Sequence, residues 1–198
     1  GLFLFSVISG GCTIRPRADL IICNGAEPQT LDPALVSGQL EGRLCSALSE
    51  GLLRRDARGK AVPGTAEKWT ANPDGKVYTF TLRPNLRWSN GDPLTSSDYR
   101  WSWLRALHPA TASPYSEILY FIRGAEAYHA GKSPADSVGI ETPDERTLVI
   151  HLEHPTPFFP ALTAFTTYLP VHRATLEKFK DRWTRPENWV GNGPYRLL

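Results

Sequence analysis

The sequence predicts a mixed α/β (α+β) fold, and three observations carry the prediction. Two pairs of short runs with strand patterning are each joined by a strong turn signal. Several longer stretches place apolar residues at helical spacing. Six tryptophans and seventeen prolines in 198 residues favour a loop-rich fold with large aromatic anchors over a helical bundle. Hydrophobic residues make up 41% of the chain and charged residues 21%, the balance of a soluble globular protein. Net charge is +2 and only Arg54-Arg55 are adjacent basic residues, so no electrostatic case for nucleic acid arises.

The first element is the apolar run 20–23, a buried strand that ends at Asn24-Gly25. It passes into Glu27-Pro28-Gln29-Thr30-Leu31-Asp32-Pro33, where each proline fixes its own φ and biases the residue before it toward extended backbone. Such a segment presents N–H and C=O groups outward and suits a sheet edge that another extended chain could join. Asp32 is placed to accept backbone hydrogen bonds in an Asx-turn, and Pro33 to fix the exit.

Residues 42–53 read as a helix, with Leu44, Leu48 and Leu52 at intervals of four. Gly59 and Pro63-Gly64 punctuate the loop that follows. Residues 66–70 and 77–82 form a hairpin across Asn72-Pro73-Asp74-Gly75, with Tyr78, Phe80 and Leu82 on one face. Asn90-Gly91 makes a tight turn after Trp88. Thr95 then caps a helix to about Leu107, with Asp98 approximating a capping box and Tyr99, Trp103 and Leu107 buried. Short helices are expected at 115–122 and 124–130. Residues 138–141 and 147–152 pair as strands across Thr142-Pro143-Asp144-Glu145. Residues 172–183 read as an amphipathic helix burying Leu176, Phe179 and Trp183.

Gly1 to Ile8 is apolar and too short to span a bilayer, which needs about 20 residues. Small residues Ser9-Gly10-Gly11 and then Cys12 follow, after which the chain turns polar. This is expected to be the apolar region and cleavage site of a signal peptide. Cys12 resembles the lipobox cysteine of bacterial lipoproteins, which is diacylated and becomes the new N-terminus, although Ser9 stands where leucine is usual. An ordinary secretory signal and a buried N-terminal strand are the alternatives. Cys23 and Cys45 carry no metal or redox spacing and read as small buried hydrophobes, one on a strand and one on a helix. A disulfide between them would need Cα atoms within about 7 Å.

Five segments carry a family resemblance, in this order: the Glu27–Pro33 string, Glu50-Gly51-Leu52-Leu53, the stretch from Trp88-Ser89-Asn90-Gly91-Asp92-Pro93 to Asp98, Ala112-Ser113-Pro114-Tyr115, and Lys178 through Trp183, Pro186 and Asn188 to Asn192-Gly193-Pro194-Tyr195. Together they resemble the peptide/nickel-binding family (family 5) of extracytoplasmic solute-binding proteins, the capture components of ABC importers. The last two segments are most like its oligopeptide-binding branch. The resemblance implies a periplasmic-binding-protein-like, two-lobed fold. Absence of any methionine and the family's greater length lead us to expect an N-terminal fragment, with 1–18 a signal or lipoprotein segment, 19–39 the first part of lobe I, 40–160 a small α+β subdomain and 161–198 the return to lobe I. The Asn192-Gly193-Pro194-Tyr195 turn would start a strand of that lobe.

The implied function is capture of oligopeptides outside the cytoplasmic membrane and delivery to a permease, with ATP hydrolysis in separate subunits. The implied protein is a periplasmic or otherwise extracytoplasmic monomer without enzymatic activity or cofactor. It would touch the membrane only through a lipid on Cys12. In the branch resembled, the 26–29 segment contacts the peptide main chain, which makes Ala26, Glu27 and Gln29 the expected contacts. Tyr115 matches a tyrosine near the ligand. Read without the resemblance, Glu27 is a solvated carboxylate beside a turn and Tyr115 a core aromatic with a satisfied hydroxyl.

No catalytic set is legible. His151 and His154 lie three apart near a strand end and point to opposite faces, so they cannot simply share a metal. There is no His-Glu-x-x-His and no Gly-x-Ser-x-Gly, and Gly191-Asn192-Gly193 is followed by proline and reads as a turn. Alternatives remain open: the same scaffold holding dipeptide, nickel chelate, haem or sugar; an extracellular hydrolase pairing Glu27 with Asp32; or a regulator using the same domain for sensing.

Overall fold

The computed structural model describes residues 23–197. Of the expected first strand, residues 20–22 lie outside the described residues. Cys23 is exposed and in irregular backbone, not a buried strand residue, and neither it nor Cys45 is bridged.

Helix α1 (Gln39–Leu48) starts and stops earlier than the 42–53 expected from the leucine spacing. Ser49 turns extended (φ −141°, ψ 149°), and Gly51 then packs so closely that a Cβ there would lie 2.8 Å from the Thr163 carbonyl. Leu48 and Leu52 are both buried, but only Leu48 through the helix. The chain continues into β1 (Leu53–Arg55), which pairs antiparallel with β2 (Ala61–Pro63).

Strands β3 (Ala66–Ala71) and β4 (Val77–Leu82) form the expected hairpin, with Trp69 opposite Phe80. Asn72 Oδ1 accepts from Lys76 N at 3.0 Å and Val77 N at 2.9 Å, and Gly75 supplies the left-handed φ of +69° that closes the turn. Tyr78, Phe80 and Leu82 are buried, whereas Val77, Thr79 and Thr81 on the other face are half-buried.

Helix α2 (Ser96–Leu107) is capped as its sequence indicates: Asp98 Oδ2 accepts from Thr95 N at 2.7 Å. Its inward residues Tyr99, Trp103 and Leu107 are fully buried. A 3₁₀ turn at Ser116–Phe121 and α3 (Ala125–His129) occupy the two short helical stretches expected there.

Strands β5 (Ile140–Asp144) and β6 (Thr147–His151) complete a four-stranded antiparallel sheet in the order β3-β4-β6-β5. The hairpin turn falls at Glu145-Arg146 and not at 142–145. Asp144 Oδ1 accepts from Arg146 N at 2.8 Å and tightens the reversal, while a register shift between Glu141 and Asp144 absorbs Thr142-Pro143. That hydrogen bond from Arg146 N, then one from Thr147, holds the Asp144 carboxyl below its ordinary range.

Short helix α4 (Phe159–Leu162) and the 3₁₀ turn Thr166–Tyr168 close the core over α2. Trp103 meets Tyr168 edge-on at 5.0 Å, donates from Nε1 to the Tyr168 carbonyl at 2.9 Å, and Tyr168 in turn donates to the Ile118 carbonyl at 2.8 Å.

The expected helix at 172–183 is two pieces, α5 (Arg173–Phe179) and a 3₁₀ turn Lys180–Arg182, because Lys180 takes a positive φ of +51°. Trp183 is buried as expected, but Thr175 is the buried residue of α5, and Leu176 and Phe179 are only half-buried.

The 192–195 turn starts no strand within the described residues. Asn192 instead clasps the exit of α1: its Oδ1 accepts from Glu50 N at 3.1 Å and its Nδ2 donates to the Glu50 carbonyl at 2.8 Å. Gly193 N donates to the Leu48 carbonyl at 3.0 Å. With those groups occupied and Pro194 lacking a donor, little is left to build a ladder.

Candidate functional site

The site begins with a buried anchor. Asp32 Oδ1 accepts from Ala34 N at 3.0 Å, the Asx-turn read from the sequence, and its main-chain oxygen accepts from Leu35 N at 2.9 Å. Both carboxylate oxygens also take the guanidinium of Arg105 from the last turn of α2, with Nη1 on Oδ1 at 2.9 Å and Nη2 on Oδ2. Such a bidentate, charge-assisted pair fixes geometry in a way a single contact cannot. The 30–36 loop is thereby bolted to the core. Buried and paired, Asp32 is not available as the second carboxylate of a hydrolase.

Upstream of this bolt, Gly25 turns the chain with φ +82°, and Ala26, Glu27 and Gln29 are exposed. Among the described residues, no backbone–backbone hydrogen bond is made by residues 26–29. Two side chains steady the segment: Asn24 Nδ2 donates to the Ala26 carbonyl at 3.4 Å, and Gln29 N donates to Glu41 Oε1 at 3.3 Å. Pro28 has no N–H. Among the described residues the Ala26 and Glu27 amides, and the carbonyls from Glu27 to Gln29, have no hydrogen-bond partner.

Downstream of the bolt lies a cavity of about 620 Å³. Its walls include Gly38, Gln39 and Arg43 at the start of α1, Arg55 at the end of β1, and the aromatic pair Tyr115 and Phe165. Tyr115 is half-buried, edge-on to Phe165 at 5.7 Å, and donates from its hydroxyl to the Ser37 carbonyl at 3.2 Å. It is a rim residue with a satisfied hydroxyl, not a core aromatic. The first turn of α1 ties the two features together: Glu41 holds Gln29, while Gly38 and Gln39 line the cavity.

Elsewhere the chemistry is sparse. Among the described residues no group of three or more His, Cys, Asp or Glu is arranged to hold a metal ion. His151 Nε2 sits 2.9 Å from Glu141 Oε1, and His154 is exposed. Cys45 is buried on α1, and burial pushes its thiol pKa up to about 12. Cys12 lies outside the described residues. Arg105, Arg43, Arg55 and Phe165 were not singled out by the sequence, because their roles depend on partners far away along the chain; Arg105 and Asp32 are 73 residues apart.

The family model for bacterial extracellular solute-binding proteins, family 5 (middle), matches residues 60–198. The periplasmic oligopeptide-binding protein OppA of Haemophilus influenzae is 38% identical over 193 residues, covering 96% of this chain and 36% of that protein. The periplasmic murein peptide-binding protein MppA of Escherichia coli is 38% identical over 192 residues, covering 96% and 35%. The crystal structure of Haemophilus influenzae OppA in complex with RPPGFSPFR matches with a TM-score of 0.84 at 41% identity, over 87% of this chain and 34% of that one. The chain thus spans about a third of the length of the relatives it matches. With the motifs, the fold and these matches in agreement, the chain belongs to the bacterial extracellular solute-binding proteins, family 5.

Proposed function

We propose that this chain is part of an extracytoplasmic receptor that captures oligopeptides and delivers them to the permease and ATPase subunits of an ABC importer. The observation that carries the reading is the exposed 26–29 segment, whose main chain has no backbone partner among the described residues and whose Gln29 is tied by Glu41 to the turn of α1 that borders a cavity. A peptide adding as a strand along Ala26, Glu27 and Gln29 would satisfy those groups through its own backbone. Recognition of that kind is indifferent to side chains, and side-chain pockets lined with water give broad tolerance. Tyr115 forms the wall past which a bound side chain would lie.

Calorimetry on the full-length protein tests the proposal. A mixed peptide pool is expected to release binding heat, nickel chelates and sugars none, and peptides N-methylated on the backbone are expected to bind more weakly than their parents. Equal affinity for methylated and parent peptides would reject the strand-addition mode.

The same reading divides the chain into 1–18, 19–39, 40–160 and 161–198. In its support, the four-stranded sheet and α2 both fall inside 40–160. The receptor is proposed to act as a periplasmic monomer, held at the membrane by a lipid on Cys12. Intact-mass spectrometry of the mature protein should show a diacylglyceryl adduct that Cys12→Ser removes.

A further inference from the structure

Arg43 and Arg55 are both among the residues that line the cavity, and both are exposed. Among the described residues neither makes an ion pair or a side-chain hydrogen bond. No carboxylate lines the cavity. Two acidic groups adjoin it: Glu41 accepts from Gln29 N and packs on Gly38, and Glu50, 3.8 Å from Arg54, lines a neighbouring cavity that Arg55 also borders. The N-cap of α1 is Gly38, and the first-turn carboxylate of Glu41 folds against it, so the helix end is already compensated and the two arginines supply the positive charge of the cavity. Ser37, Gln39, Ser46 and Thr166 add neutral polar groups, and Phe165 an apolar wall.

A cavity lined by two guanidinium groups without an ion pair among the described residues, and by no carboxylate, is complementary to negative charge. Its volume of about 620 Å³ accommodates a side chain or a chain end with room for water. We infer that this cavity is a carboxylate subsite of the ligand cleft, in which Arg43 and Arg55 bias capture toward peptides that place an acidic group there. The inference rests on the peptide-capture reading above and adds a preference to it. The carboxylate has two sources, an Asp or Glu side chain and the peptide's own C-terminus, and the chemistry at the arginines is the same for both.

The test is calorimetry on the full-length protein with four probes: a Glu-containing peptide, its Gln analogue, and the C-terminally amidated form of each. The Glu peptide, or the free C-terminus, is expected to bind about tenfold tighter than its neutral counterpart. That preference should shrink in Arg43→Gln and in Arg55→Gln, and weaken as salt is raised. Thermal unfolding of each variant confirms that it is folded. A preference that follows the Gln substitution assigns the subsite to a side chain; one that follows amidation assigns it to the chain end. Equal binding of all four probes, or a preference untouched by both substitutions, overturns the inference while leaving peptide capture intact. Failure of every peptide to bind overturns both.

Discussion

The unit formed by β3–β6 with α2, and the segment that leads from Gly25 into α1, treat their polar groups in opposite ways. In the sheet unit the four strands pair antiparallel throughout, with one register shift in each hairpin, and buried hydroxyls such as those of Tyr78 and Tyr99 find partners. Tyr78 donates to the Thr156 carbonyl at 3.0 Å, and Thr65 Oγ1 meets the Tyr99 hydroxyl at 2.5 Å. In the leading segment Ala26, Glu27 and Gln29 are exposed, and among the described residues the 26–29 main chain is steadied by two side-chain contacts. One device joins the two regions: Asp32 at the root of the open segment is gripped by Arg105 from the core helix. An open backbone surface on a rigid root loses less freedom on binding than the same surface on a free loop. The comparison teaches that openness and order are compatible when a buried bolt separates them.

Four measurements break or sharpen this contrast. Trp103→Ala strikes the closed region hardest, since it empties a fully buried site and orphans the Tyr168 carbonyl. It should cost about 4 kcal/mol of stability in chemical denaturation. Arg105→Met attacks the bolt and strands a buried carboxylate, for about 3 kcal/mol. It should also weaken peptide binding, whereas the double variant with Asp32→Asn should recover part of the stability without the binding. If single and double variants are equally unstable, the two side chains are not coupled.

Thr95→Ala removes the capping box of α2 and should cost about 1 kcal/mol with peptide affinity intact. The smallest effect is read from the thiols. Exposed Cys23 should react with a thiol reagent at pH 8, and Cys45 only after unfolding. Because burial raises the Cys45 pKa from 9.0 to about 12, its contribution to stability is whole below pH 9 and disappears as pH climbs through that interval.

The closed region was largely legible from residue order. Alternation marked β4, Asn72-Pro73-Asp74-Gly75 marked its hairpin, and Thr95 with Asp98 marked the start of α2. These signals are local, so the sequence displays them directly. The open region was half legible. Its two prolines and Asp32 announced an extended run and a turn, but the grip of Arg105 is a contact across the fold with no local trace. The cavity was not legible for the same reason, since α1, β1, Tyr115 and Phe165 meet only in three dimensions. The leucine spacing also misplaced α1, because Leu52 joins the core from the bend before β1, after the helix has ended.

The Asn192 clasp has a chemical consequence of its own. An Asn-Gly pair is the sequence most prone to spontaneous deamidation, which proceeds when the glycine nitrogen swings onto the asparagine amide carbon. Here the Gly193 nitrogen is spent on the Leu48 carbonyl, and both ends of the Asn192 amide are spent on Glu50. The hydrogen bonds that fasten this stretch to α1 therefore also shield it from ageing, and isoaspartate at this position would be a chemical record that the clasp had opened.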